Sequence, residues 1–319
     1  MNSSTRDTVQ EIADIRKRRR FGPAIVELSL RLQELEQALN RCDRDNTELV
    51  RYFPVALVGC IEGYFRLVIK ELIDAGDPFL TNAEKLASML KFDFALLRAV
   101  HGKAITVGEL VAHSVKLSRL EHIESSVTRL LGTSFLQEMR TVTDRWDHEV
   151  KGNPATPILT NPDVVFARVS KTFELRHIIC HEIASGYEIT SDDVEQCFES
   201  CVLFLRAADE SVAGVLYPGA ALTQAEMNVA ASKSLDEARE RLSGRVDELR
   251  ALLSDAQLPM FEVSQTQWQI FSDSWSACVA GDRTTGGTIW PVVRSGVATA
   301  SVDRRTSEIS SFIEALKSR

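Results

Sequence analysis

Residues 175–182, Leu-Arg-His-Ile-Ile-Cys-His-Glu, hold the side chains best suited to chemistry in this 319-residue chain. Arg176 is a permanent cation whose planar fork grips carboxylate or phosphate oxygens two at a time. His177 and His181 stand four residues apart, and an unperturbed imidazole exchanges a proton near neutrality. On a helix all three side chains project towards a shared edge. Three uses fit these residue types. The arginine can make an internal salt bridge, with the histidines as ordinary surface or capping groups. Two imidazoles at i,i+4 can hold zinc, but the matching protease motif needs a second histidine after His181-Glu182, and the chain continues Ile183-Ala184-Ser185 instead. No metal ligand is assigned on that ground. The third use is cleavage of RNA without metal or other cofactor. There an imidazole takes the 2′-hydroxyl proton, the oxygen attacks phosphorus, and the guanidinium holds the non-bridging oxygens.

Such an edge requires a helix, and residues 162–184 supply one, with Pro162 at its start. Val165, Val169, Phe173 and Cys180 fall on one stripe of it, and Arg176 falls on the same stripe. A cation so placed must find an acceptor inside the protein or an anion at an interface.

The surrounding sequence is helical almost throughout. Ile25, Leu28, Leu32, Leu35 and Leu39 recur at spacings of three and four over 23–41. A long apolar helix follows over 47–74, then shorter ones over 83–91, capped by Asn82, over 118–131, stopped by Gly132, and over 134–149. Thr106 and Glu109 form a capping-box pattern. Residues 151–162 carry three prolines and read as a loop, and Ser191-Asp192-Asp193 opens the next helix. Tyr217-Pro218-Gly219 resembles a boundary, beyond which helices are expected at 223–256, 260–280 and 301–317. No strand pattern is convincing. The expected fold is all-α: a helical extension over 1–44, an antiparallel bundle over 45–216, and a smaller helical domain over 217–319.

Composition narrows the setting. A net charge of −8 argues against nonspecific coating of nucleic acid, although a local basic site remains compatible with it. The basic run 16–20 reads as a solvated turn or as a phosphate-contacting arm. No secretory leader is evident, and the longest apolar run, 53–69, is broken by Glu62 and Arg66. Six cysteines without Cys-x-x-Cys pairs suit reduced thiols. The expectation is a cytoplasmic protein with no membrane partner.

Arg176-His177-Ile178-Ile179-Cys180-His181 matches the R-x4-H motif of HEPN domains, including the polar residue that follows the arginine. Residues 45–215 resemble such a domain in setting too, with the motif late in a helical bundle and an acidic residue, Glu62, on an upstream apolar helix. The resemblance implies an endoribonuclease that works as a homodimer, two motifs facing each other to make one composite site. Arg176 and His181 would then be catalytic, His177 supporting, and Glu62 the group that orients or neutralises Arg176. It also implies a toxin or antiphage-type effector acting on tRNA or mRNA. Because some HEPN proteins do no catalysis, the alternative is a scaffold that binds RNA or a partner protein through the same surface.

Residues 222–316 are similar to the lysozyme-inhibitor LprI-like (DUF1311) family. Thr223-Gln224, Glu226-Met227-Asn228, Gln267-Trp268, Cys278, Gly286-Gly287-Thr288, Arg305 and Glu308-Ile309 carry the likeness. That family is typically exported and has further cysteines. Here those places read Asn228-Val229-Ala230-Ala231-Ser232 and Ser295-Gly296-Val297-Ala298-Thr299-Ala300-Ser301, leaving Cys278 without an obvious partner. A module that senses a trigger or binds an inhibitor protein is therefore expected rather than one that catalyses. Trp268, Trp275 and Trp290 read as core residues.

Overall fold

The structure is a computed structural model that describes residues 3–18, 24–87, 94–102, 104–182, 186–282 and 287–318. It is all-α, and the described residues contain no strand, only an isolated bridge between Thr143 and Pro157. The chain divides into two compact units, Met1–Pro218 and Gly219–Arg319.

The first unit is built around one long helix, α3 (Thr47–Asp74). It follows α1 (Ser3–Arg18) and α2 (Ala24–Arg41). Asn46 caps it, its side chain accepting from the Leu49 amide at 3.2 Å. Phe53, Leu57, Ile61, Phe65, Ile69 and Leu72 recur every three or four residues and are all buried. An 18-residue window of α3 has mean hydropathy 1.5, so length and composition alone would let it cross a membrane. That corrects the reading that Glu62 and Arg66 interrupt the run. Its apolar faces are nonetheless spent inside the unit, chiefly against α2 and four later helices.

Those later helices are α7 (Val107–Ser114), α8 (Leu120–Leu131), α10 (Pro162–His181) and α11 (Ser191–Leu216). The short α4 (Phe79–Asn82), α5 (Glu84–Ala87) and α9 (Phe135–Met139) pack among them, and α6 (Phe94–His101) packs against α1. Phe65, Phe135 and Phe204 meet in the centre, with Phe65 5.8 Å from Phe135 and 5.7 Å from Phe204 between ring centroids. The Thr106–Glu109 capping box is present at α7. Gly132 ends α8 in the left-handed region, φ 78°, which glycine adopts without strain.

Some expected elements differ. Asn82 closes α4 instead of capping a longer helix, and its side chain donates to the Leu130 carbonyl at 2.8 Å. Residues 88–91 of that expected helix lie outside the described residues. The helix expected over 134–149 splits into α9 and a π turn, Trp146–Val150. Asp144 causes the break, since its carboxylate accepts from the Asp147 amide at 2.9 Å and starts a new turn. Of the basic run, Arg16 pairs with Glu109 and donates to the Ala104 carbonyl at 3.0 Å, so it braces α1 against α7 rather than standing free. Arg19 and Arg20 lie outside the described residues.

The second unit contains α12 (Gln224–Leu252), α13 (Leu258–Ala280) and α14 (Trp290–Lys317). Ala238, Leu242, Val246, Leu249, Val302, Ile309 and Ile313 form its core. The last helix starts eleven residues before the expected Ser301, because Pro291 in its first turn gives a compatible start and small residues carry it onward. Its weak periodicity over 290–300 hid this in the sequence.

Candidate functional site

Helix α10 positions the Arg-His-His set. Val165, Val169, Thr172, Phe173 and Leu175 bury its inner face. Two polar ties lock it to α11: Lys171 Nζ donates to Asp193 at 2.6 Å, and Arg168 to Gln196 at 2.9 Å. A third contact is buried, the Cys201 thiol against the Thr172 hydroxyl at 3.5 Å. Burial pushes the Cys201 thiol up to about 12, so it stays protonated packing.

The inner face ends at Leu175. Arg176 is half-buried, and His177, Cys180 and His181 are exposed. The apolar stripe expected to run through Cys180 therefore stops a turn early, as α10 emerges from the core while Ile179 keeps it seated. His177 and His181 lie with ring centroids 5.1 Å apart and planes tilted by 48°. His177 Nε2 is 3.9 Å from Glu182 Oε1, both largely exposed, so the pair holds neither side chain firmly.

Glu62 is half-buried on α3. Among the described residues no hydrogen bond or ion pair joins it to Arg176, and neither side chain has another such partner. The internal salt bridge that sequence reasoning weighed for Arg176 is thus not formed, because the guanidinium leaves the core with the last turn of α10. The histidines and the arginine share one helix edge, and no hydrogen bond or ion pair joins Glu62 to them among the described residues.

Sequence reasoning missed a set of perturbed acids on the other side of α3. The Tyr64 hydroxyl donates to Asp209 at 3.2 Å. Burial drives the Asp209 carboxyl above its usual range, and the Tyr64 hydroxyl is driven far up by burial and the adjacent carboxylate. Glu210 is also raised, by burial first and then by Asp144 and Asp209. Asp144 is held low, chiefly by the Asp147 amide and also by its pair with Arg206. Their positions at 64, 144 and 209 left no local spacing to read.

In Gly219–Arg319 the residues that carried the family likeness have defined jobs. Thr223 and Glu226 make a reciprocal capping box, and Gln224 donates to Asn228 at 3.1 Å. Arg305 donates to Gln265 and Ser264, each at 3.1 Å, tying α14 to α13, and to Glu308 within α14 at 3.1 Å. Trp268 is half-buried and packs on the core of this unit. Residues 218–309 match the family described as Lysozyme inhibitor LprI. No curated protein and no solved structure matches the chain. The LprI-like module keeps its signature residues for capping and helix pairing, and Cys278 is exposed and free. Gly286 lies outside the described residues. Of the tryptophans expected in the core, Trp275 is instead exposed and stacks on Phe271, with planes 8° apart. It sits on an outer face of α13.

Proposed function

We propose that the chain is a metal-independent HEPN-type endoribonuclease whose activity is governed by its LprI-like module. The observation that carries this is the state of Arg176: a half-buried guanidinium without an acceptor among the described residues, beside two exposed imidazoles on adjacent turns. A half-buried cation without an anion favours taking one from outside. Phosphate suits its fork, and an imidazole beside it suits transfer of the 2′-hydroxyl proton.

One copy supplies an arginine and histidines from a single helix edge, on an open surface. A second copy facing it would supply the opposite acid or base and shield the phosphate from water, which is the homodimer the R-x4-H likeness implies. Arg176 stabilises the pentacoordinate phosphorus, His181 moves the proton, and His177 supports them. The substrate class is RNA, with tRNA or mRNA as targets, in the role of a toxin or antiphage-type effector in the cytoplasm. The LprI-like module suits a protein partner, an inhibitor or a trigger.

The chemistry fixes the products. Attack by the 2′-oxygen expels the 5′-oxygen of the next nucleotide and leaves a 2′,3′-cyclic phosphate. Fragments from a defined RNA should carry that end in mass spectra, with a 5′-hydroxyl on the partner fragment. Products with 5′-phosphates, or no products at any protein concentration, contradict the reading.

A further inference from the structure

A cleft of about 570 Å³ lies between α1, α2, α3 and α7, within the size range of small-molecule sites. The Arg176 edge does not line it. Its walls are mainly aliphatic, with Ile12 and Ile15 from α1, Leu28 from α2 and Leu67 from α3. From Ala56 to Lys70 the wall formed by α3 runs about 21 Å at 1.5 Å per residue. Gly59 and Gly63 on that wall are exposed, and a Cβ at either would meet nothing within 4 Å. These glycines therefore admit no neighbouring element; they leave the trough wide.

One end of the trough is cationic. Arg66 Nη1 donates to the Ala112 and His113 carbonyls, at 2.7 and 3.1 Å, where α7 ends. Its Nη2 and Nε have no partner, and no carboxylate pairs with it, among the described residues. The neighbouring cations are already engaged: Lys70 by Glu71 and Asp74, Arg16 by Glu109, and Arg31 by the Tyr52 hydroxyl at 2.9 Å and Glu34 at 3.8 Å, while His113 Nε2 lies 3.4 Å from Glu11. Arg66 is thus fixed by carbonyls, half-buried, and uncompensated at the mouth of an aliphatic trough.

We propose that this cleft binds an amphipathic anion, an unbranched aliphatic chain ending in a carboxylate or phosphate. The chain lies along Gly59 and Gly63, and the head takes the free edge of the Arg66 guanidinium. Charge complementarity selects the head, and the mainly apolar surface of the trough, whose polar side chains Arg16, Arg31, Tyr64, Lys70 and Glu109 already hold protein partners, selects an alkyl chain. The site is independent of the ribonuclease reading.

Calorimetric titration of the full chain with dodecanoate, below its micelle concentration, tests this beside dodecyl phosphate, dodecanol and dodecyltrimethylammonium. Both anions should bind at one per chain, with the alcohol about tenfold weaker and the cation not at all. Gly63→Leu should fill the trough, keep or raise the melting temperature through better helix propensity, and abolish binding. Arg66→Gln should weaken the anions about tenfold while leaving dodecanol unchanged. Equal dodecanoate affinity in parent and Gly63→Leu overturns the proposal, as does equal binding of the cationic amphiphile. Cosedimentation with phosphatidylglycerol vesicles that survives Gly63→Leu, without dodecanoate binding, also overturns it by placing the anion on an outer surface.

Discussion

Asp209 and Glu109 titrate in opposite senses, and each makes a prediction at the scale of one side chain. Burial raises the Asp209 carboxyl, only partly offset by the Tyr64 hydrogen bond. The native state then holds this proton to higher pH than the unfolded chain. Its contribution to stability is full below the unfolded value and is lost as pH rises through the raised folded value. Asp209→Asn retains an acceptor for Tyr64 and removes the ionisation. Its melting temperature should exceed the parent's by a few degrees at neutral pH and converge with it in acid; a lower value at neutral pH contradicts this. For Glu109 burial pushes up, but the Arg16 hydrogen bond, the Thr106 amide and nearby charges outweigh it, and the carboxyl is lowered. Its contribution is present above the unfolded value and is lost as pH falls through the depressed one. Glu109→Gln should cost about 1 kcal/mol in urea melts at neutral pH and less in acid. An equal cost at both would assign the effect to shape instead of charge. The Thr106–Glu109 box was legible because both partners lie within one turn. The Tyr64 donor to Asp209 and the lack of an acceptor at Arg176 among the described residues were not, since both depend on how the helices pack and how far each emerges from the core.

Helices were legible where one face is buried and a cap marks the end. Residues 47–74, ending at Ala75-Gly76-Asp77-Pro78, and 118–131, stopped by Gly132, show this, although the second helix begins at Leu120. Periodicity failed where a side chain competes with the backbone, as Asp144 does, or where small residues blur the faces, as over 290–300. Helix α3 is the element on which the first unit depends. Phe65→Ala removes a fully buried ring that touches Phe135 and Phe204. It should cost about 3–5 kcal/mol, read as a fall in the urea midpoint. A loss under about 1 kcal/mol would mean that the core collapses around the cavity. The candidate site inherits its geometry from α10 in the same way, since Leu175 and Ile179 hold the turn that carries Arg176, His177 and His181.

For the molecule as a whole, the all-α class followed from pattern, and the LprI-like module from an ordered set of residues at 223–309 that cap and pair helices. The amphiphile cleft was not legible, because Arg66, Gly63 and Ile12 come together only through packing. All six cysteines are free. A thiol reagent in denaturant should therefore titrate six per chain without prior reduction, and four or fewer would reveal a disulfide. The central claim is that Arg176 and His181 form half of a ribonuclease site. Its most direct measurement is cleavage of a defined RNA by the full chain in EDTA, parent against His181→Ala at matched folding and concentration. The account predicts cleavage by the parent and a rate lower by about a hundredfold or more in the variant. Equal cleavage by both proteins, or an inert parent that still binds RNA, would contradict it.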